Sequence, residues 1–474
     1  MEPQSRQSTA RLILLNVCVG QCIVGLDQRA LLVALPTLTA SFNTDLTTIQ
    51  WVLLIYDLML IGSVITVGRL GDLFGRRRIY SCGFVLFVLA SALCGISQTP
   101  VQLIICRALQ AMGGSMIVAN GRAIASVSLP PQQRGKALGL VSMAFHVGFL
   151  TGPTLGGFLI DTIGWRWIFY INLPIGIWGA YLAWKTIEES KEDLKQVSID
   201  FSGAFLLLLT NSLFIYGMNQ LPHVGWHDPI VIGTLSLGGA ALLLFVMVEL
   251  RSPTPILSFA LFRNRLFTAS MFSLFFITFS QAAIGFLMPF YLQTIRGFSP
   301  TQMGWIIIAS SVVIVIIAPI AGWMSDRLGS RLLCTAGSFM IVVGQFFMAS
   351  LNTNSSIARI ILPIALTGFG WAIFNSPNQS AILGSVPREK VGVASGMNTT
   401  TARTGGAMGV ALSATLFTYG LAAAGLTPAQ IESPQSWGTA PDIFIRSFNH
   451  TVHIVNFFTL LSVFFSAVRG TRHE

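Results

Sequence analysis

The sequence predicts an all-α protein that crosses a lipid bilayer many times, and three observations lead to that fold class. Of the 474 residues, 53% are hydrophobic and only 10% are charged, whereas soluble proteins carry about 25% charged residues. The apolar residues gather in fourteen segments long enough to cross a hydrocarbon core about 30 Å thick. A charged, glycine-rich turn between two of these segments recurs in the second half of the chain, which indicates two related halves.

The fourteen segments predict two six-helix bundles with two inserted helices between them. Segments 1–6 form the N-terminal bundle over 10–187, and segments 9–14 form the C-terminal bundle over 251–470. A charged linker and segments 7 and 8 occupy 188–250. In chain order the segments are 12–36, 48–68, 79–97, 101–127, 136–160, 166–186, 199–219, 229–249, 266–292, 301–324, 332–351, 358–383, 391–423 and 450–468.

The repeated turn follows segment 2 and, in its second copy, segment 10. The first copy reads Gly68-Arg69-Leu70-Gly71-Asp72-Leu73-Phe74-Gly75-Arg76-Arg77-Arg78, and the second spans Gly322–Arg331. Both copies resemble the cytoplasmic loop between the second and third helices of each half in major facilitator superfamily transporters. The resemblance implies the major facilitator fold and a charged latch on the cytoplasmic side, formed by Gly68, Asp72, Gly75, Arg76, Arg77, Asp326 and Arg331.

The residues of this turn also have physical roles that follow from their own chemistry, independently of the family resemblance. Asp72 precedes segment 3, where its carboxylate can cap the first turn of the helix and meet the positive end of the helix dipole. Gly68 and Gly75 permit a tight turn and a close approach of the helices. In the plainer interpretation the basic residues only set the topology.

The distribution of Lys and Arg predicts the orientation in the membrane. The chain has a formal net charge of +10, and most basic residues fall in alternate connections between the segments, as the positive-inside rule requires. We therefore expect both termini in the cytoplasm and a multi-pass location in the cell membrane, with no nucleic-acid partner. The six cysteines all fall in apolar segments, so neither a disulfide framework nor a metal site is predicted.

Segment 1 carries an acidic residue near its middle. Its second half reads Gly25-Leu26-Asp27-Gln28-Arg29-Ala30-Leu31-Leu32-Val33-Ala34-Leu35-Pro36, which resembles the helix-1 signature of the fourteen-helix drug:proton antiporters. An ionised Asp at this depth costs about 2.5–3.5 kcal/mol on insertion scales, so it needs a function or a partner. Asp27 is either a protonatable site that couples proton to substrate or a structural carboxylate hydrogen-bonded to a neighbouring helix.

Arg29 and Asp57 depart from that family, which usually has Thr and an apolar residue at these positions. Arg29 is two residues from Asp27, so the two side chains lie on different faces of the helix. At about 1.5 Å per residue, the depths of Arg29 and Asp57 in segments 1 and 2 differ by roughly 5 Å, which an Arg side chain can span. We expect a buried pair; the alternative is that Asp57 carries a proton by itself.

Segment 4 contains a further charged residue of the membrane interior, Arg107. The stretch Arg107-Ala108-Leu109-Gln110-Ala111-Met112-Gly113-Gly114 resembles the helix-4 motif of the same family, although Ala111 stands where Gly is usual. The resemblance implies that Arg107 takes part in proton transfer. A buried Arg without a partner is costly, so we expect an acid or a carbonyl group from segment 1 or 2 to face it.

Segment 5 carries a motif of small residues. Gly148, Gly152 and Gly156 fall at i, i+4 and i+8 and form a smooth face that another helix can approach closely. Pro153 frees a backbone carbonyl group and permits a bend. Together with Gly157, these residues resemble the helix-5 signature of antiporters, and this resemblance implies export.

Four further polar side chains lie within apolar segments. His146 in segment 5 is either a titrating group or, as we favour, a neutral hydrogen-bonded side chain. Asn375 and Asn378 make a polar break in segment 12, of the kind that lines a cavity. Arg403 in segment 13 stands one residue away from the family's Arg, so no role is assigned to it.

The resemblance implies proton-coupled efflux of small amphipathic or lipophilic compounds, as in multidrug efflux and antibiotic resistance. The proton is the coupling ion, and neither another cofactor nor an enzyme activity is implied. We expect a monomer that contacts the bilayer and a small-molecule substrate, with a periplasmic adaptor only in a Gram-negative source. Two alternatives stay open, a dedicated exporter of one endogenous metabolite or lipid and a non-transporting membrane sensor on the same fold.

Overall fold

A computed structural model describes residues 3–128, 134–188, 201–252, 259–387, 391–427, 430–431 and 434–469, and in these ranges the chain is helical with no strand. The α-helices are α1 (Pro3–Phe42), α2 (Leu46–Ile49), α3 (Trp51–Phe74), α4 (Arg76–Ile96), α5 (Pro100–Val127), α6 (Arg134–Ile163), α7 (Trp167–Tyr170), α8 (Asn172–Thr186), α9 (Phe201–Val224), α10 (Pro229–Arg251), α11 (Arg265–Phe290), α12 (Pro300–Leu328), α13 (Ser330–Met348), α14 (Ile357–Gly384), α15 (Val391–Ala423) and α16 (Pro441–Val468). A π-helical turn, Tyr291–Ile295, continues α11.

The predicted fold class is confirmed: the protein is all-α and crosses a membrane many times. Thirteen stretches in the described part of the chain are long and apolar enough to span a bilayer. Segment 6, predicted over 166–186, is divided at Ile171 into α7 and the 15-residue α8. A count of fourteen spans therefore stays a prediction. The charged linker of the sequence analysis falls largely on 189–200, outside the described residues.

The helices group into two compact units, each with its own internal packing. The first unit holds Met1–Phe42, Trp51–Ala204 and Ser299–Gly304, and the second holds Asn43–Gln50, Phe205–Phe298 and Trp305–Glu474. In the first unit α1 packs against α5, α6 and α8, and α4 packs against α5 and α8. In the second unit α11 packs against α15 and α16, and α13 packs against α14 and α16. The domain boundaries predicted at 187 and 250 stay predictions.

The repeated turn is a single glycine in each copy. Gly75 alone separates α3 from α4 with φ 102°, and Gly329 alone separates α12 from α13 with φ 77°. Such positive φ angles favour glycine because it has no Cβ. The predicted capping role of Asp72 is wrong, because α3 continues through Asp72 to Phe74 and Gly75 occupies the N-cap position of α4.

The small-residue face of segment 5 meets α1, as the spacing predicted for a close helix contact. A Cβ atom on Gly148 would collide with the Cys22 carbonyl oxygen, and one on Gly152 would lie 2.9 Å from the Leu26 carbonyl oxygen. Gly156 lies equally close to Ala30. The backbones of α1 and α6 therefore touch with no side chain between them, which holds the middle of α1 in place.

We expect Gly148→Ala to destabilise the protein by more than the about 1–3 kcal/mol that overpacking usually costs, because the added methyl group meets backbone atoms that cannot move aside. The thermal midpoint in detergent, read by size-exclusion fluorescence, measures the effect. Gly239→Ala is the matched control, since a Cβ at this glycine of α10 meets nothing within 4 Å. A Gly148 variant as stable as the Gly239 variant would contradict the packing argument.

Candidate functional site

The charged centre of the first unit is an ion pair between Asp27 of α1 and Arg107 of α5. Arg107 Nη1 lies 2.5 Å from Asp27 Oδ2, and the side chains are 1% and 0% exposed. Arg107 Nε also faces the carbonyl oxygen of Val52 in α3 at 3.4 Å. The acid and the carbonyl that the sequence analysis expected opposite Arg107 are thus Asp27 and Val52.

Two amide side chains complete the hydrogen bonds of this pair. Gln110 Nε2 and Asn172 Nδ2 each donate to Asp27 Oδ1 at 2.9 Å. Gln110 also accepts from Arg107 Nη1 at 2.6 Å and donates to Ser91 Oγ at 2.7 Å. Both carboxylate oxygens of Asp27 therefore have donors, which a buried charge requires.

Aromatic rings enclose the guanidinium group of this network. The Arg107 Cζ atom lies 4.2 Å from the centre of the Tyr56 ring and 5.9 Å from that of Phe169. Both rings belong to fully buried side chains. Cation–π contacts at these distances stabilise a desolvated cation, so Arg107 is held by the carboxylate on one side and by ring faces around it.

Two members of this network, Gln110 and Asn172, were missed in the sequence analysis, and each left a signal. Gln110 is three residues after Arg107, a spacing that places both side chains on one face of α5. Asn172 begins α8 directly after the break at Ile171 and is buried although its chain neighbours are apolar. Neither signal identifies Asp27 as the hydrogen-bond partner, because Asp27 is 83 residues from Gln110 and 145 residues from Asn172 along the chain.

Arg29 and Asp57 both belong to the first unit, and both side chains are half-buried; their direct pairing stays a prediction. The negative charge of Asp57 favours the positively charged form of the Arg29 guanidinium group. That group also stacks on the ring of Phe149 in α6, with its Cζ atom 4.0 Å from the ring centre. Whether Asp57 serves mainly as a partner for Arg29 or as a proton carrier stays a question for experiment.

His146 lies on α6 in the first unit, and Asn375 and Asn378 lie on α14 in the second. His146 is exposed on α6, and its ring stands edge-on to Phe145 with 5.7 Å between the centres. Asn378 is buried in the second unit, where it donates to the Ser270 carbonyl oxygen at 3.3 Å. Asn375, also on α14, is half-buried.

The fold agrees with that of known proteins. The family model of the Major Facilitator Superfamily matches residues 17–410 of the chain. This chain belongs to the major facilitator superfamily. It is therefore a membrane transporter of a small-molecule substrate, as the repeated turn implied.

Relatives and solved structures extend the comparison over nearly the whole transporter. The riboflavin transporter RibZ of Clostridioides difficile is 32% identical over 86% of this chain and 89% of its own length. The multidrug resistance protein Stp of Mycobacterium tuberculosis is 30% identical over 94% of this chain and 83% of its own. A crystal structure of a bacterial homologue of the human lysosomal transporter Spinster, inward-facing and unoccupied, aligns with a TM-score of 0.71 at 15% identity over 99% of this chain and 97% of its own.

The residues of the two charged turns differ in burial and in the side chains that they contact. In the first copy of the turn, Gly68 and Arg76 are half-buried, and the Arg77 guanidinium group lies over the Trp184 ring at 4.5 Å. In the second copy, Arg331 is exposed at the start of α13. The side chains of Asp72 and Asp326 lie outside the described part of the structure.

The rest of the helix-5 motif adjoins the segment Ser299–Gly304, which belongs to the same unit. A Cβ atom on Gly157 would collide with the Pro300 carbonyl oxygen, and the Pro153 carbonyl oxygen would lie 2.7 Å from a Cβ on Gly304. The motif residues thus have two neighbours, with Gly148, Gly152 and Gly156 against α1.

A double-mutant cycle tests the Arg29–Asp57 pair of the transporter. Arg29→Leu and Asp57→Leu should each lower the thermal midpoint, by less than the about 3–5 kcal/mol that breaking a fully buried pair costs, because both side chains are half-buried. The double variant should recover much of the loss, with a coupling energy above about 1 kcal/mol. A cycle of Arg29→Leu with Asp161→Leu, an exposed acid at the end of α6, should be additive. Additivity in both cycles would rule the pair out.

Proposed function

We propose that the transporter exports small amphipathic or lipophilic compounds in exchange for protons, as a member of the fourteen-helix drug:proton antiporter branch. The observation that carries the proposal is the buried pair of Asp27 and Arg107, with its amide partners Gln110 and Asn172. The antiporter-like motif of α6 and the relative named as a multidrug resistance protein support export of foreign compounds.

The Asp27 network offers a direct way to couple a proton to a change of shape. The carboxylate receives hydrogen bonds from α5 and α8 while it stands on α1. A proton on Asp27 removes the negative charge that holds Arg107 and turns one carboxylate oxygen from an acceptor into a donor. The links from α1 to both neighbours then weaken together, and the unit favours another arrangement of these helices.

The proton gradient supplies enough free energy for this task. One proton that enters down about 100 mV releases roughly 2.3 kcal/mol, and a difference of one pH unit adds about 1.4 kcal/mol. Together these support roughly a 500-fold concentration gradient of a neutral substrate per proton. Export therefore needs no ATP.

A second candidate function is the dedicated export of one endogenous product. It is favoured by the relative named as a riboflavin transporter, because that name gives a single metabolite as the substrate. Expression in a pump-deficient host against a mixed drug panel separates the two candidates, because a dedicated exporter protects against few compounds or none. A sensor on the same fold would bind ligand but show no counterflow in proteoliposomes.

The topology of the transporter belongs to the same proposal. Both termini lie in the cytoplasm and the protein is a monomer in the cytoplasmic membrane, with a periplasmic adaptor only if the source is Gram-negative. The repeated turns then face the cytoplasm. There Asp72, Arg76 and Arg77 of the first copy, with Asp326 and Arg331 of the second, latch the inner side.

Asp27→Asn should abolish efflux driven by a pH gradient, because an amide of the same size cannot take up and release the proton. The effect is measured as efflux of the mixed drug panel from cells and as dye transport in proteoliposomes with an imposed pH gradient. Size-exclusion profiles show whether the variant is folded. Asp228→Asn is the control, since this acid caps α10 outside the network and Asn caps equally well. Undiminished efflux in the Asp27 variant would remove the assignment.

Asp72→Ala should lower turnover and raise the labelling of cysteines placed at the inner ends of α3 and α13, in a background without the six native cysteines. The reason is that loss of the latch leaves the inner side open for longer. Asp442→Ala, at an exposed acid in the first turn of α16, serves as the control. Parental labelling and turnover in the Asp72 variant would show that the turn sets topology only.

A further inference from the structure

The end of α16 holds a buried cation that has no carboxylate partner among the residues that the structure describes. Arg469 is 1% exposed, and its Nη2 atom donates to Asn378 Oδ1 at 3.0 Å and to Ser466 Oγ at 3.1 Å. Its Nε and Nη1 atoms have no hydrogen-bond acceptor. Burial lowers the pKa of the guanidinium group, and the neighbouring Cys334 side chain acts in the opposite direction; within the described residues no carboxylate acts on it. A desolvated charge held only by neutral groups is costly, so an anion would be favourable here.

A second guanidinium group lies beside the first. Arg265 is the first residue of α11, and its Nε atom donates to the carbonyl oxygen of Val468 at 3.0 Å, one residue before Arg469. Its side chain is exposed. Within the described part of the chain neither arginine has a carboxylate partner. Two positive charges thus meet at one end of the α11–α16 contact, one buried and one open to the surroundings.

A column of aromatic rings runs from this end along the same two helices. Phe272 of α11 stacks on Phe465 of α16 with 5.0 Å between the ring centres, and Phe276 follows at 5.8 Å from Phe465. Phe458 continues the column at 6.2 Å from Phe276. Phe272 is 43% exposed, and Phe465 is half-buried one helical turn before Arg469. The contact between α11 and α16, which forms a seam, therefore carries positive charge at the end with Arg265 and Arg469 and aromatic rings along its length.

We propose that this seam, which we call the α11–α16 groove (Arg265, Phe272, Phe276, Phe465 and Arg469), binds an anionic phospholipid. The headgroup phosphate pairs with Arg265 and neutralises the field of Arg469 behind it, while an acyl chain lies along Phe272 and Phe465. Basic pockets between helices on the cytoplasmic side are known to hold anionic headgroups. A free phosphate ion would satisfy the charge but would leave the exposed rings without a partner, so the amphipathic occupant is favoured.

Native mass spectrometry of the full chain in detergent tests the groove, with phosphatidylglycerol and phosphatidylcholine of identical acyl chains as probes. The parent should retain phosphatidylglycerol in preference to phosphatidylcholine. Arg265→Gln should lower that preference about fivefold, the effect expected for one basic residue at a lipid surface. Arg446→Gln is the matched control, because this exposed arginine lies on α16 at its opposite end. An unchanged preference in Arg265→Gln would overturn the proposal.

Two further arms separate the lipid from other sources of phosphate and guard against misfolding. Inorganic phosphate alone should raise the thermal midpoint less than phosphatidylglycerol does; an equal effect would indicate a free-anion site and overturn the lipid assignment. Arg469→Gln should also lower the preference, and if that variant does not fold, Phe465→Leu replaces it. Shortened retention of both lipids by Phe465→Leu supports the acyl contact, and unchanged retention contradicts it.

Discussion

A carboxylate and a guanidinium group taken out of water must be paired with each other, and in the first unit this constraint falls on Asp27 and Arg107. Desolvation costs several kcal/mol for each ion, and only good geometry with further hydrogen bonds offsets it. Gln110 and Asn172 supply those bonds, so the position of α8 depends on the charge of α1 as much as on apolar packing. The close contact of α6 with α1 then keeps the carboxylate at the depth where Arg107 can reach it.

The second unit buries many neutral polar side chains in addition to Arg469 and Glu249. Gln345 of α13 donates to Ser280 at 3.2 Å and accepts from Thr459 at 2.6 Å. Further along α16, the hydroxyl groups of Ser273 and Ser466 lie 2.9 Å apart. Hydroxyl and amide groups cost far less to bury than ions. Within the described part of the chain the two units therefore differ in how they bury polar groups: the first pairs Asp27 with Arg107, and the second relies largely on hydroxyl and amide groups.

Features that depend on neighbouring residues were predictable from the sequence, and features that depend on which helices converge were not. Membrane-spanning segments, the repeated turn and the glycine face of segment 5 all follow from local spacing. The demand of Arg107 for a partner was predictable because a lone buried cation is costly, and Asp27 meets that demand. Asn172 and Arg469 escaped prediction, because each acquires its surroundings only when helices distant in sequence come together. The capping role given to Asp72 failed because α3 runs on for most of another turn.

The single-glycine junctions have a consequence for how this chain can change in evolution. Surface loops usually tolerate added or lost residues, but Gly75 and Gly329 each form a connection that is one residue long. One inserted residue would turn the following helix by about 100° unless the junction absorbed it. In α4 that rotation would carry Tyr80, Phe84 and Phe87 out of the core of the first unit. The length of these turns is therefore under the same constraint as the packed interior, although they lie at the ends of helices.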